Sequence, residues 1–120
     1  MKRATPIPNS FFDYHLATLK PSETHVLLTI FRQTIGWQDS YTGGRKKKDW
    51  ITTSQFMKRT GLSDKTVTSA IDGLIEKQLI TVTDLYGNVL YSPEQRRGKT
   101  RIYYEPRFKS SRNSGETPQI

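Results

Sequence analysis

The chain contains 120 residues and no cysteine, and it carries a net charge of +8 with an isoelectric point of about 9.9. This length predicts one domain with a modest core. The lack of cysteine excludes a disulfide scaffold and cysteine-based zinc sites, and no apolar run indicates a membrane span or a signal peptide. The composition therefore predicts a cytoplasmic protein with a polyanionic partner, nucleic acid ahead of an anionic membrane surface.

The N-terminal part of the chain is predicted to hold an arm and two helices. Residues 1–9 are basic and contain two prolines, which favours an extended arm. Asn9 or Ser10 is suited to cap a short helix. A proline at the first helical position, with Glu23 near the positive end of the helix dipole, then predicts a longer helix over 21–35.

A repeated capping pattern marks the next two helices. Thr52, with a glutamine three residues later, fits a capping box and predicts a helix over 53–59. Ser63 is predicted to cap another helix over 64–77, and Gly61 lies in the tight turn between the two. Apolar residues at helical spacing on the later helix are predicted to be buried. They are Val67, Ala70, Ile71 and Leu74.

The remaining segments are predicted to be strands and loops. The residue patterns at 79–85 and 100–105 indicate two strands of a hairpin. The polar stretch 86–99 between them is predicted to be one long hairpin loop. Paired glycines and four consecutive basic residues predict a mobile loop over 38–49, and a composition rich in Ser, Gly and Pro predicts a disordered tail over 109–120.

Two helices joined by a tight turn and followed by a hairpin predict an α+β winged helix-turn-helix over residues 10–108, with three main helices, a β-hairpin wing and the short extra N-terminal helix. The exposed N-terminal half of the helix over 64–77 is short, polar and basic, as base reading in a major groove requires. A solvated helix face is the alternative, and Asp72 and Gly73 are expected on such a face. The predicted recognition residues are Ser63, Lys65, Thr66, Thr68 and Ser69.

Basic residues outside that helix are predicted to contact phosphates. Seven basic residues and one acidic residue fall within 95–112, so most of the net charge lies there. A solubilising surface is the alternative. The predicted wing contacts are Arg96, Arg97, Lys99 and Arg101. The weaker candidates, in the loop over 38–49 and the helix over 53–59, are Lys46, Lys47, Lys48, Gln55, Lys58 and Arg59.

Short motifs follow one another in a specific order along residues 5–83. They include Thr34-Ile35-Gly36-Trp37, Trp50-Ile51-Thr52 and Thr60-Gly61-Leu62-Ser63. In this order the chain resembles the N-terminal domain of phage replication protein O, the origin-binding part of lambda-type initiators. The resemblance implies a winged helix that binds repeated sites in double-stranded DNA at a replication origin. It also implies a separate C-terminal region that recruits the replicative helicase or its loader.

The chain departs from this family at two points. Lys20 stands where a Ser or Thr helix cap is usual. The chain also ends where the helicase-recruiting region would begin, so we expect either a shortened form of an initiator or a small protein that reuses the domain.

Sequence-specific binding of double-stranded DNA is the predicted function, with origin binding on a phage, plasmid or other mobile element as its most concrete form. A transcriptional regulator, or a winged helix that contacts proteins, is the alternative, and the sequence shows no spare apolar stripe for the latter. Homodimerisation is left open. No enzyme activity, cofactor or metal site is expected, since His15 and His25 lack ligand partners. Trp37 and Trp50 are expected in the core rather than stacked on bases.

Overall fold

A computed structural model of the chain describes three segments and shows an α+β domain with an antiparallel sheet. The described residues are 7–35, 47–99 and 101–107. The predictions for the first six residues, for most of the loop over 38–49 and for the tail over 109–120 lie outside these segments. The domain boundaries at residues 10 and 108 stay predictions.

A short helical segment precedes the first long helix, as predicted. Phe11–His15 forms a π-helical turn and Leu16–Thr18 forms a 3-10 turn. Ser10 lies at the N-terminal cap position without a side-chain capping bond, so of the two predicted capping residues Ser10 does not act as one. The Phe11 ring is buried and packs edge-on against Phe31, with the ring centroids 5.9 Å apart. An aromatic contact therefore holds this segment to the domain.

Helix α1 spans Pro21–Gln33, so it ends two residues before the predicted position. At its start, Glu23 gives a backbone N–H group a hydrogen-bond partner, because Glu23 Oε1 accepts the N–H of Lys20 at 2.9 Å. At its end, the buried Thr34 hydroxyl donates to the carbonyl of Ile30 at 2.7 Å. The apolar stripe of α1 is fully enclosed. It consists of Val26, Leu27, Ile30 and Phe31.

Helix α2 spans Thr53–Thr60 and begins with the predicted capping box. Thr52 Oγ1 accepts the backbone N–H of Gln55 at 3.1 Å, and Gln55 Oε1 accepts the backbone N–H of Thr52 at 2.9 Å. Gly61 follows with φ of 76°, in the left-handed region that favours glycine. The capping box and the glycine stop are both confirmed.

Helix α3 spans Asp64–Glu76 after a three-residue turn. Ser63 Oγ accepts the backbone N–H of Thr66 at 3.2 Å, which confirms the predicted cap. All four residues predicted to line the core side of this helix are buried. They are Val67, Ala70, Ile71 and Leu74.

One three-stranded antiparallel sheet closes the domain, with β3 in the centre in the order β1-β3-β2. The strands are β1 Asp49–Trp50, β2 Ile80–Thr83 and β3 Tyr103–Pro106. The two predicted strands are confirmed in place, although both are shorter than expected. Val82 lies opposite Tyr104 on the buried face, and Trp50 lies opposite Tyr103 on the outer face. Helix α1 contacts β3 and helix α3 contacts β2.

The segment between β2 and β3 is folded, so the prediction of one polar hairpin loop over 86–99 is wrong. The chain turns back after β2, and the Leu90 N–H donates to the Val82 carbonyl at 2.8 Å. A short helix, α4, then spans Pro93–Arg96. Leu90 is only 4% exposed. This segment therefore adds to the core through a buried side chain.

The described elements follow the order α1, β1, α2, α3, β2, α4 and β3 along the chain. The three larger helices pack on one another. This arrangement is compatible with the predicted winged helix.

Candidate nucleic-acid interface

The exposed face of α3 presents two of the five predicted recognition residues to solvent without a partner. Lys65 and Ser69 lie four residues apart near the start of the helix, and both are exposed. Neither side chain makes a hydrogen bond or ion pair with another residue in the segments that the structure describes. Their polar atoms are therefore available to an incoming ligand.

The other three predicted recognition residues are engaged at the start of α3. The Ser63 hydroxyl donates to Thr66 Oγ1 at 2.9 Å, and the Thr68 hydroxyl lies 3.5 Å from Asp64 Oδ1. These hydroxyl groups order the first turn of the helix and thereby position Lys65. Their direct contact with DNA stays a prediction.

The C-terminal half of the α3 face is partly covered by α4. Arg96 is only 8% exposed, and its Nη2 donates to Asp72 Oδ1 at 2.8 Å. The prediction that Arg96 lies on an exposed wing tip is wrong, and so is the expectation that Asp72 is merely solvated. Within the described segments, Arg96 Nη1 is buried and has no hydrogen-bond partner. Asp72 therefore provides the hydrogen-bonded counter-charge for a buried guanidinium.

The positive charge of Arg96 also influences Tyr104 on β3. Burial raises the pKa of Tyr104 to about 12, although the nearby positive charge of Arg96 acts to lower it. Tyr104 is therefore protonated at neutral pH. Its ring packs edge-on against Phe56 with the centroids 5.1 Å apart, so α2, α4 and β3 meet around this residue.

Gly73 lies in contact with α1 and not on a solvated face as expected. A Cβ atom added at Gly73 would overlap Glu23 Oε2. The Glu23 carboxylate is itself 3% exposed, and its Oε1 accepts a hydrogen bond from Lys77 Nζ at 2.6 Å. The absence of a side chain at Gly73 therefore allows the buried Glu23 carboxylate to pair with Lys77 and tie α1 to the end of α3.

Burial acts to raise the pKa of Glu23, but several groups act in the opposite direction. The hydrogen bonds from Lys77 and from the Lys20 backbone, together with the positive charges of both lysines, hold this pKa below its ordinary value. Glu23 is therefore ionised in the folded protein at neutral pH.

A single carboxylate orders the turn at the end of β2. Asp84 Oδ1 accepts the backbone N–H groups of Tyr86 and Asn88, each at 2.9 Å, and Oδ2 accepts from Asn88 Nδ2 at 3.1 Å. The bond from the Asn88 backbone is the largest cause that holds the pKa of Asp84 below its ordinary value. Gly87 has φ of 88°, which closes the turn. The hairpin tip is thus a fixed structure.

This ordered tip exposes apolar side chains, which contradicts the expectation that the chain lacks a spare apolar stripe. Tyr86 is 84% exposed, Tyr91 is 68% exposed and Leu85 is 52% exposed. An exposed apolar cluster beside a rigid turn is typical of an interaction surface.

The remaining wing cations differ in their surroundings. Arg97 and Lys99 are exposed, and Lys99 Nζ lies 3.9 Å from Asp84 Oδ2. Arg101 is exposed on the outer face of the sheet, where its guanidinium carbon lies 4.9 Å from the centroid of the Trp50 ring. Trp50 is 38% exposed, so its predicted place in the core is wrong.

The weaker candidates are spread over α2 and the residues before β1. Lys47 and Lys58 are exposed, while Gln55 is occupied in the capping box of α2. Arg59 Nη2 lies 3.5 Å from Gln33 Oε1, and Lys48 Nζ lies 5.6 Å from the Tyr103 ring centroid. The remaining candidate, the lysine at position 46, lies outside the described residues.

Sequence reasoning missed α4, although the chain carries a signal for it. Ser92 Oγ accepts the Gln95 backbone N–H at 3.3 Å, and the Gln95 side chain accepts the Ser92 backbone N–H at 3.1 Å. Ser92, a proline and Gln95 repeat the capping pattern seen at Thr52. This pattern would have placed a helical turn there, although it could not have shown that Arg96 is buried.

Over the three described segments, no group of three or more His, Cys, Asp or Glu residues is placed to hold a metal ion. No helix found in those same segments has the length and apolar character needed to cross a membrane.

The fold and the exposed side chains define a class: a small basic α+β domain in which two helices joined at a glycine turn present a free polar face beside a cationic sheet. Comparison with protein families gives the chain a more specific assignment. The chain belongs to the family of bacteriophage replication protein O, whose family model matches residues 5–89. This membership confirms the resemblance and associates the chain with bacteriophage replication. Neither a curated protein nor a solved structure matched the chain.

Proposed function

We propose that this protein is a winged-helix domain that binds double-stranded DNA at a phage replication origin and acts in initiation by binding, without catalysing a reaction. The family supports the replicative role. In this proposal α3 enters the major groove and the wing, residues 80–106, contacts the adjacent backbone. A replicative helicase or its loader is the further partner that an initiator requires.

The observation that carries the proposal is the free polar face at the start of α3. Lys65 and Ser69 are exposed and unpaired with other described residues, while the C-terminal half of the same face is partly covered by the Asp72–Arg96 pair. Cationic and hydroxyl side chains at the N-terminal end of such a helix suit hydrogen bonding to base edges. The net charge of +8 supports a polyanionic ligand.

Selection from a randomised duplex library tests the proposal, because it identifies a preferred sequence without knowledge of the origin. We expect the wild-type protein to enrich a defined motif. Lys65→Ala should relax the preference at one base pair, at a cost of about 1–3 kcal/mol. Lys58→Ala removes the same charge from α2 and is the matched control, which should weaken all sequences alike. Failure of the wild-type protein to enrich any motif would refute sequence-specific binding.

Salt dependence tests the wing separately. With roughly six phosphates neutralised, affinity for duplex DNA should fall by about three orders of magnitude between 50 and 200 mM salt. The variant Arg97→Ala/Lys99→Ala should weaken random and selected duplexes equally and reduce the salt slope by about one unit per lost contact. An unchanged slope would show that these two residues are only solvated.

The exposed apolar tip favours a second candidate function, contact with another protein through Leu85 and Tyr86. The variant Leu85→Ser/Tyr86→Ser separates the two functions, since both side chains are exposed and their loss should leave the fold intact. Unchanged affinity for the selected duplex would exclude the tip from the DNA interface and leave it free for contact with a protein. A loss of duplex affinity would assign it to the DNA interface.

A further inference from the structure

The outer face of the sheet carries an array of cations and aromatic rings, and the duplex-binding proposal does not use the rings. Trp50 on β1 lies directly opposite Tyr103 on β3. Arg101 lies against the Trp50 ring at 4.9 Å, and Lys48 lies against the Tyr103 ring at 5.6 Å. We call these four residues the ring–cation array.

The pleat of the sheet explains why the four side chains share a face. Residues two apart on a strand point to the same side, which groups Lys48 with Trp50 and Arg101 with Tyr103. The neighbouring Tyr104 points to the opposite side and is 3% exposed. Because the other face is packed against α1 and α3, the array lies on the side of the sheet that these helices do not cover.

Packing of the two rings does not by itself account for the array. Tryptophan in a small domain normally lies in the core, yet Trp50 is 38% exposed. A cation against an exposed ring contributes only about 0.5–1 kcal/mol. Arg107 extends the cationic character along β3, where its Nη1 lies 3.5 Å from Thr81 Oγ1, and Glu105 is the acidic residue on that side of the strand.

We propose that the ring–cation array binds single-stranded DNA. Successive bases would stack on Trp50 and Tyr103 in the places that the cations occupy over the rings. The displaced cations, Arg101 and Lys48, would then pair with the phosphates together with Arg107. Aromatic side chains interleaved with cations are the general solution for binding a single strand without sequence preference. Arg107 lies six positions beyond Arg101, roughly 20 Å in an extended chain at about 3.3 Å per residue, which is enough for three or four nucleotides.

This inference goes beyond the proposed function, since it assigns a second ligand to a different face of the domain. A duplex cannot use the two rings in this way, because its bases are already stacked on one another and their faces are not accessible. A single strand exposes both the bases and the phosphates. The array therefore favours the strand that becomes available when a duplex opens.

The test compares three labelled probes by fluorescence anisotropy at low salt: a twelve-residue oligothymidylate, an abasic oligomer with the same number of phosphates, and the selected duplex. We expect the wild-type protein to bind the oligothymidylate at least tenfold more tightly than the abasic oligomer. Equal affinity for the two would overturn the proposal, because it would reduce the array to a phosphate-binding surface. This comparison uses the unaltered chain and so does not depend on any variant folding.

Variants then assign the binding to the rings. Trp50→Leu keeps apolar bulk but removes the ring, and it should weaken oligothymidylate binding by about 5- to 100-fold. Trp50→Phe keeps a ring and should retain most of the affinity. Equal binding by the Leu and Phe variants would refute stacking on Trp50.

Lys65→Ala/Ser69→Ala provides the reciprocal control, because it alters the proposed recognition face and leaves the array intact. It should impair selection of the duplex motif and leave oligothymidylate affinity unchanged. In the wild-type protein, failure to select a duplex motif while the oligothymidylate preference is present would refute only the proposed function. A selected duplex motif without the oligothymidylate preference would refute only the array, so the two failures are distinguishable.

Discussion

Gly73→Ala should destabilise the domain, although the same change in most exposed helices is stabilising. Replacing a helical glycine by alanine ordinarily gains about 1 kcal/mol. Here the new Cβ would overlap Glu23 Oε2, and the carboxylate cannot move freely, because it accepts from Lys77 Nζ at 2.6 Å and from the Lys20 N–H at 2.9 Å. The sign of the effect therefore depends on a residue on another helix.

The magnitude follows from the two ways in which the domain could respond. If the carboxylate stays in place, the overpacking costs about 1–3 kcal/mol. If it moves, the domain loses a hydrogen bond between charged groups that contributes about 1.5–3 kcal/mol. Subtracting the helix gain of about 1 kcal/mol leaves a net loss of up to about 2 kcal/mol. For a domain of this size each kcal/mol lowers the melting temperature by about 4–8 °C.

Thermal and urea unfolding of four proteins provides the assay: the wild type, Gly73→Ala, Glu23→Ala and the double variant. In the Glu23→Ala background the obstacle is absent, so Gly73→Ala should then stabilise the domain by about 1 kcal/mol. A higher melting temperature for Gly73→Ala in the wild-type background would refute the reasoning, because it would show that the carboxylate does not occupy the space beside Gly73.

Two further predictions concern the buried charges. Because the pKa of Glu23 is lowered on folding, its contribution to stability is complete above the ordinary pKa of the carboxyl group. The contribution is lost as the pH falls through the lowered pKa. The unfolding free energy of Glu23→Gln should therefore depend less steeply on acid pH than that of the wild type. Identical pH profiles for the two proteins would contradict this. Asp72→Ala should cost about 1.5–3 kcal/mol in urea unfolding, since it leaves the guanidinium of Arg96 buried without its partner. Adding Arg96→Met to this variant should recover part of the lost stability. If Asp72→Ala cost no more than an ordinary surface substitution, the ion pair would not contribute to stability.

The elements that could be predicted from the sequence are those fixed by local chemistry. The capping box at Thr52, the glycine stop at Gly61 and the apolar spacing of α3 each depend on residues within one or two turns, and all are confirmed. The burial of Arg96 and the exposure of Trp50 could not be predicted in this way. Each depends on which element packs against the residue, and that is decided by contacts between segments far apart in the chain. Asp72 and Arg96, for example, are 24 positions apart.

The same distinction holds for the candidate site. Lys65 could be placed correctly because helical periodicity alone decides which side of α3 it occupies. Gly73 was misplaced because a residue without a side chain gives no signal about its neighbour, and the Glu23 carboxylate that fills the space lies on α1. The array on the sheet was missed because it is created by the register between β1 and β3, two strands separated by most of the domain.

The ion pair between Asp72 and Arg96 limits how the proposed DNA interface could be redesigned for another sequence. In the proposed interface, the side chains that would contact bases can be exchanged at Lys65 and Ser69, whose polar atoms bond to no other residue in the described segments. A substitution at Asp72 would instead disturb a buried guanidinium and the helix that carries it. A library built to change specificity should therefore vary the first two turns of α3 and keep Asp72 and Arg96 together, or exchange them as a pair.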